Sequence, residues 1–169
     1  LTNPIHYRDH RTVANREEVE SVLSYEAMYE RTGIAYWPFN TIYQLQADRT
    51  MRPALFSLAK KLLFTPDLLA YFLTGVQRNE YTIASTGQLV NVRTRDFDDE
   101  VLAAAGVTRD LFCPLVQPGE VIGPLADWIC RELDLEPVPV VAVCTHDTAS
   151  AVAAVPLEPG RRCAYLSCG

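Results

Sequence analysis

No stretch of the 169-residue sequence is apolar for long enough to cross a membrane as a helix. No basic segment leads into an apolar one, so no secretory signal is visible. No C-x-x-C pair occurs, and the five cysteines, at 113, 130, 144, 163 and 168, are odd in number. That disfavours a zinc ribbon or a disulfide scaffold and points to a reduced, cytoplasmic protein. Cys144 and Cys163 stand in apolar, strand-like runs, where a thiol acts as a small buried hydrophobe. The sequence has no G-x-x-x-x-G-K-[ST], no G-x-G-x-x-G and no G-x-S-x-G. A self-contained P-loop kinase, Rossmann enzyme or α/β-hydrolase therefore lacks its signature. Internal repeats and low-complexity stretches are also missing. Positive charge is short: 15 basic residues against 21 acidic ones leave a net charge of -6. That balance argues against a nucleic-acid or anionic-membrane surface.

What is present describes one globular domain of ordinary size. Hydrophobic residues make up 49% and charged residues 21%, enough apolar side chain for a sizeable core. Leu1 and the closing run Ala164-Tyr165-Leu166 read as ends cut from something longer.

The first half reads as helical. Asn15 with Glu18 forms a loose capping box, and Val19, Val22, Leu23, Ala27 and Met28 continue at helical spacing to a stop at Gly33. This predicts one helix over 17–31. Trp37-Pro38-Phe39 reads as core packing. Asn40 or Thr41 caps a short helix through Tyr43 and Leu45. Pro53 opens another, with Leu55, Leu58, Ala59 and Leu62 on one face. Thr65-Pro66 starts a helix with a stripe of Leu68, Leu69, Phe72 and Leu73, ended by Gly75. Asp96 caps a helix carrying Phe97, Val101, Leu102 and Ala105, closed by Gly106.

The second half changes character. Glu120-Val121-Ile122 predicts a short strand, and Pro124 a helix through Leu125, Trp128, Ile129 and Leu133. The run 138–144 is β-branched and apolar on both faces, the pattern of a central strand covered on both sides. An alanine-rich helix over 147–154 and a strand over 162–167 follow, which together read as a βαβ crossover.

The segment Thr145-His146-Asp147-Thr148-Ala149-Ser150 leaves that strand and begins that helix. Ligands of open α/β sheets gather at the carboxyl ends of strands. Thr145 or Asp147 is equally what a helix cap requires, so capping stands beside the functional reading. His6 and His10 are four apart, but Pro4 and the spacer Tyr7-Arg8-Asp9 fit a strand end better than a zinc-binding helix, so both are expected in solvent. Arg8-Asp9-His10-Arg11 is a polar knot, either a solvated turn or the lining of a polar pocket. Arg161-Arg162 reads as a solvated turn.

Several strings in collinear order carry a resemblance. They are Asn3-Pro4-Ile5-His6-Tyr7-Arg8-Asp9 with Arg11-Thr12, Thr32-Gly33-Ile34, and Pro38-Phe39-Asn40-Thr41-Ile42-Tyr43-Gln44-Leu45. Pro66-Asp67-Leu68, Leu73-Thr74-Gly75, Glu80-Tyr81-Thr82 and Thr86-Gly87-Gln88-Leu89-Val90-Asn91 continue it. Pro118-Gly119, Val121-Ile122-Gly123, Pro139 to Val143, His146 to Val152 and Ala164 to Ser167 complete it. The sequence resembles the FGGY carbohydrate kinases over nearly its whole length. The strings around Asn40 and Asp147 are similar to the rhamnulokinase branch.

The resemblance implies an incomplete α/β domain of the ribonuclease-H-like (actin-like ATPase) type. Residues 1–169 would be part of an amino-terminal domain, on its sugar-binding side. It implies transfer of the γ-phosphoryl group of ATP, with Mg²⁺, to O1 of L-rhamnulose or a similar ketose in rhamnose breakdown. It places the catalytic base on Asp147 and sugar contacts on His146, Asp147 and Thr148. The family's D-x-G strand pair would precede Leu1, its next phosphate-loop residue would follow Gly169, and a carboxy-terminal domain would carry most adenine contacts. ATP and Mg²⁺ would thus be held mainly outside this chain, and the 169 residues alone would be inactive. A kinase for another ketose, or a non-catalytic sugar-binding module that reuses the fold, is the alternative reading.

Overall fold

The computed structural model describes residues 5–158 and 160–168. Asn3 and Pro4, which open the first of the matching strings, lie outside them. The chain begins with a helical half: α1 (Asn15–Val22), α2 (Tyr25–Thr32), α3 (Thr41–Met51), α4 (Pro53–Leu58) and α5 (Thr65–Thr74). A mixed region follows, with β1 (Asn79–Glu80), α6 (Tyr81–Thr86), β2 (Val90–Asn91), β3 (Asp96–Phe97), α7 (Asp99–Ala104), a 3-10 turn (Arg109–Leu111) and β4 (Leu115–Val116). The last part is β5 (Val121–Pro124), α8 (Asp127–Leu133), β6 (Pro139–Val141) and α9 (Asp147–Ala153). Among the described residues no helix is long and apolar enough to cross a membrane.

The core gathers around α3. Ile42 and Tyr43 pack with Val19 of α1, Met28 of α2, Leu89, and Val101 and Leu102 of α7, all buried. Phe97 and Phe112 close one end with ring centroids 4.4 Å apart. Gly33 and Gly75 end α2 and α5 in the left-handed conformation, as their positions predicted.

The expected long helix over 17–31 is two helices. Ser24 adopts an extended conformation and its hydroxyl accepts the Ala27 N–H, so α2 starts afresh with its own cap. That break turns Val22 out to solvent. Asn15 sits inside α1 and not at its cap, with its side chain 3.5 Å from Glu18.

Other starts also shift. Asp67, not the Thr65 hydroxyl, caps α5 by accepting the Phe64 N–H. Asp98, not Asp96, caps α7, because Asp96 is taken up in β3 opposite Asn91. Pro124 ends β5, and α8 begins three residues later. Pro53 does open α4, but Leu55 and Leu58 face solvent.

Among the described residues the strands form three separate pairs. β1 and β4 are parallel; β2 with β3, and β5 with β6, are antiparallel. The expected buried strand over 138–144 is therefore corrected. β6 is only three residues long, and Val138, Val141 and Val143 are exposed while Ala142 is buried. An apolar strand is covered on both faces only when a layer lies on each side. Among the described residues β6 pairs with β5, and α5 is the helix that packs on this pair.

Residues 162–167 form no strand and are exposed, so no βαβ unit closes. Cys163 is accordingly exposed and Cys144 half-buried, whereas Cys113 and Cys130 are the buried thiols.

Candidate functional site

The segment that leaves β6 turns at Thr145 and enters α9 at Asp147. His146 is the cap residue, and its carbonyl accepts the Ser150 N–H at 3.0 Å. Neither Thr145 nor Asp147 occupies the cap position, which falls on His146. Asp147 is the first helical residue, and its side chain is 96% exposed. Its Oδ1 accepts the Thr148 N–H at 2.6 Å and lies 3.3 Å from the Thr148 hydroxyl. His146 Nε2 stands 3.6 Å from the same oxygen. The three residues singled out from the sequence therefore converge on one exposed carboxylate, with a hydroxyl and an imidazole beside it.

Beneath this turn lies a buried polar group of residues from the mixed region. Glu80 caps α6, its carboxylate accepting the N–H groups of Thr82 at 2.7 Å and Ile83 at 3.2 Å. The same carboxylate accepts the Thr145 hydroxyl at 2.6 Å and the Thr145 N–H at 3.2 Å, across 65 residues of chain. The Thr82 hydroxyl donates to Glu80 at 2.5 Å and accepts the His146 N–H at 3.2 Å. Burial pushes the Glu80 carboxyl up, but the bonds from Thr145, Thr82 and Ile83 outweigh it and hold the group below the usual glutamate range.

Asp67 supports this layer. Its Oδ1 accepts the Glu80 N–H at 2.9 Å, and its Oδ2 accepts the Asn79 side-chain N–H at 2.8 Å. Here burial prevails over those bonds, and the carboxyl is pushed above the usual aspartate range.

A second buried bridge joins the matching strings at 40 and 88. Asn40 donates to the Gln88 side-chain oxygen at 3.1 Å and to the Ala35 carbonyl at 2.9 Å. Gln88 holds φ at +61°, a left-handed conformation uncommon outside glycine.

Trp37 and Phe39 correct the expectation of core packing. Both are exposed and stack on each other, with centroids 5.7 Å apart and planes 9° from parallel. Exposed Tyr7 meets Phe39 edge-on at 6.3 Å. In the polar knot, Arg11 reaches back to Gln44 at 2.5 Å and Asp48 at 2.5 Å. Arg11 lines an open groove of about 610 Å³ with Tyr7, Phe39, Gln44 and Asp48. His6 and His10 are both exposed, as expected.

Reading the residues one by one gave no role to Glu80, Asp67 or Gln88. The available signal was an acidic residue just before a helix with a threonine two places on, Glu80-Tyr81-Thr82. Glutamate is not among the strongly preferred caps, so the pattern carries little weight until Thr145 arrives from elsewhere in the chain.

Comparison with known proteins gives this arrangement a family. The model of the FGGY family of carbohydrate kinases, N-terminal domain, matches residues 1–154. The chain is 46% identical over its whole length to a rhamnulokinase from Yersinia pestis bv. Antiqua (strain Angola), and covers 34% of that protein. It is 44% identical over its whole length to a rhamnulokinase from Bacteroides thetaiotaomicron, and covers 35% of it. The chain thus spans about a third of the length of these curated relatives. Among solved structures, a ligand-bound xylulose kinase from Lactobacillus acidophilus superposes with a TM-score of 0.77 at 22% identity, over 92% of this chain and 32% of that one. A Plasmodium falciparum glycerol kinase with ADP gives 0.74 at 14% identity, over 85% of this chain and 29% of that one. At those identities the likeness shows the fold: part of the ribonuclease-H-like, actin-like α/β domain that sugar kinases share. A family match over nearly all of its residues, laid on that fold, means that the chain belongs to the FGGY family of carbohydrate kinases.

Proposed function

We propose that this chain is the sugar-binding side of an amino-terminal domain, working within a longer kinase that phosphorylates O1 of L-rhamnulose or a similar ketose. The relatives that are 44–46% identical are named rhamnulokinase, which supports that acceptor. The observation that carries the chemistry is the Asp147 carboxylate, almost fully exposed between His146 and Thr148 at the start of α9.

Asp147 is the general base. A carboxylate with one oxygen tied to the Thr148 N–H keeps its second oxygen free to take the proton from the sugar hydroxyl. His146 and Thr148 each present a group that donates to or accepts from neighbouring hydroxyls, which orients the acceptor over Asp147. ATP with Mg²⁺ supplies the phosphoryl group when bound. ATP and Mg²⁺ would be held mainly by parts of the longer kinase outside these 169 residues, as the resemblance to the FGGY kinases implies.

The test is Asp147→Asn in the longer protein, with ADP release followed over a panel of ketoses. Asparagine keeps the shape and loses the proton acceptor. Sugar KM should change little, and kcat should fall by about two to four orders of magnitude. A folded Asp147→Asn enzyme with wild-type kcat removes Asp147 from the chemistry. A ketose that outperforms L-rhamnulose in the panel replaces the acceptor.

A further inference from the structure

We infer that Glu80 is a positioning residue for this site: its buried carboxylate ties the Thr145–Asp147 turn to the start of α6 and so sets where the Asp147 side chain stands. The inference rests on the proposed role of Asp147, but the anchoring itself is read from geometry alone.

Glu80 is 2% exposed, while Asp147, two residues beyond Thr145, is in solvent. Among the described residues the Asp147 side chain, 96% exposed, hydrogen-bonds to Thr148 and has His146 as its near neighbour. Its position is inherited from the turn before it. That turn is held at two consecutive residues. Thr145 bonds Glu80 through both its N–H and its hydroxyl, and the His146 N–H bonds the Thr82 hydroxyl, which itself donates to Glu80. Glu80 Oε2 therefore accepts from the Thr145 N–H and hydroxyl, the Thr82 hydroxyl and the Ile83 N–H. A carboxylate oxygen with that many donors is charged and fixed, since charge-assisted bonds are the strong ones. Below it, Asp67 holds the Glu80 backbone, and β1 is paired with β4, so the anchor is itself anchored.

A simpler account makes Glu80 a helix cap and nothing more. The two accounts part on side-chain length. Aspartate is a better cap than glutamate, so Glu80→Asp preserves or improves the start of α6. It is shorter by one methylene, so a carboxylate that stays on the first N–H groups of α6 is drawn back from Thr145, which approaches from 65 residues along the chain.

The experiment uses the longer protein and compares Glu80→Asp, Thr145→Val and the double variant, with Asp147→Asn run in parallel. Thr145→Val leaves the cap of α6 untouched, so it remains informative where a change at the buried Glu80 prevents folding. The expected result for each single variant is faster amide exchange at residues 145 and 146, with kcat reduced about tenfold or more and sugar KM within about twofold. The double variant should be no slower than the worse single one, because both break one link. Wild-type exchange and wild-type kcat in both Glu80→Asp and Thr145→Val overturn the proposal, as do fully additive losses in the double variant. Should Asp147→Asn keep its activity while exchange at 145 and 146 speeds up in Glu80→Asp, the base assignment fails and the anchoring stands.

Discussion

Tyr43 illustrates how a single residue can be well placed and still carry a cost. Its ring is fully buried in the core around α3 and meets Tyr36 edge-on at 5.2 Å. Among the described residues its hydroxyl has no hydrogen-bond partner. Burial pushes the phenol far up, so it stays protonated. A buried hydroxyl without a partner loses its water and gains nothing in return, a penalty of about 1–3 kcal/mol. Tyr43→Phe should therefore leave stability unchanged or raise it by up to about 1 kcal/mol. Chemical denaturation checks this, and a loss above about 1 kcal/mol would mean that the hydroxyl does find a partner in solution.

At the scale of elements, the start of α7 separates pattern from structure. Asp96 and Asp98 both precede the same apolar stripe, but only Asp98 caps it, through the N–H groups of Glu100 at 3.1 Å and Val101 at 3.2 Å. Asp98 also accepts from Asn91 at 2.7 Å and pairs with Arg31 at 3.1 Å. Asp98→Ala should cost about 2–3 kcal/mol, because it removes a cap and strands two donors. Asp96→Ala, at an exposed ion pair with Arg109, should cost less than about 1 kcal/mol. Equal losses in the two variants would refute the assignment.

The pH dependence of Asp98 follows from the same contacts. Burial raises its carboxyl, but the bonds from Asn91, Val101 and Arg31 overcome that and hold it below the ordinary value of 3.8. A group lowered in the folded state contributes stability that is complete above its unfolded value and disappears as pH falls through the folded one. The stability gap between the wild type and Asp98→Asn should therefore be full at neutral pH and close below 3.8. Denaturation midpoints measured at neutral and at acid pH test it, and a gap that persists in acid contradicts it.

On the scale of the whole molecule, the unusual feature is apolar surface. Leu69, Phe72 and Leu73 of α5, Trp128 and Leu133 of α8, and Val141 and Val143 at β6 are all exposed. α5 packs against β5 and β6, so part of this apolar surface lies on neighbouring elements, and contiguous apolar surface marks a site of interaction. The 169 residues expressed by themselves should bind an environment-sensitive apolar dye and show no ketose-dependent turnover of ATP. The longer protein should bind less dye per mole and turn over. An isolated chain that ignores the dye, or that phosphorylates a ketose, contradicts the proposal that it works within a longer kinase.

Local chemistry was sufficient to place several features from sequence alone. Gly33 and Gly75 end helices because only glycine enters the left-handed conformation without cost, and no distant residue bears on that. Pro53 opens α4 for an equally local reason, and the α9 segment begins at Asp147 as read. The triplet His146-Asp147-Thr148, which we propose as the site, could be singled out from the sequence because its members are consecutive. Tertiary structure decided everything that depends on what lies opposite. Ser24 divides a continuous apolar pattern, Asp96 is drawn into a strand by Asn91, and the valines of 138–143 stay exposed with no second layer over them. Trp37 and Phe39 stack in solvent although an aromatic cluster before a helix reads as core packing. Glu80 is the sharpest case: its meaning comes from Thr145, 65 residues away, and a hydrogen bond across that distance leaves no periodicity or spacing in the chain to read.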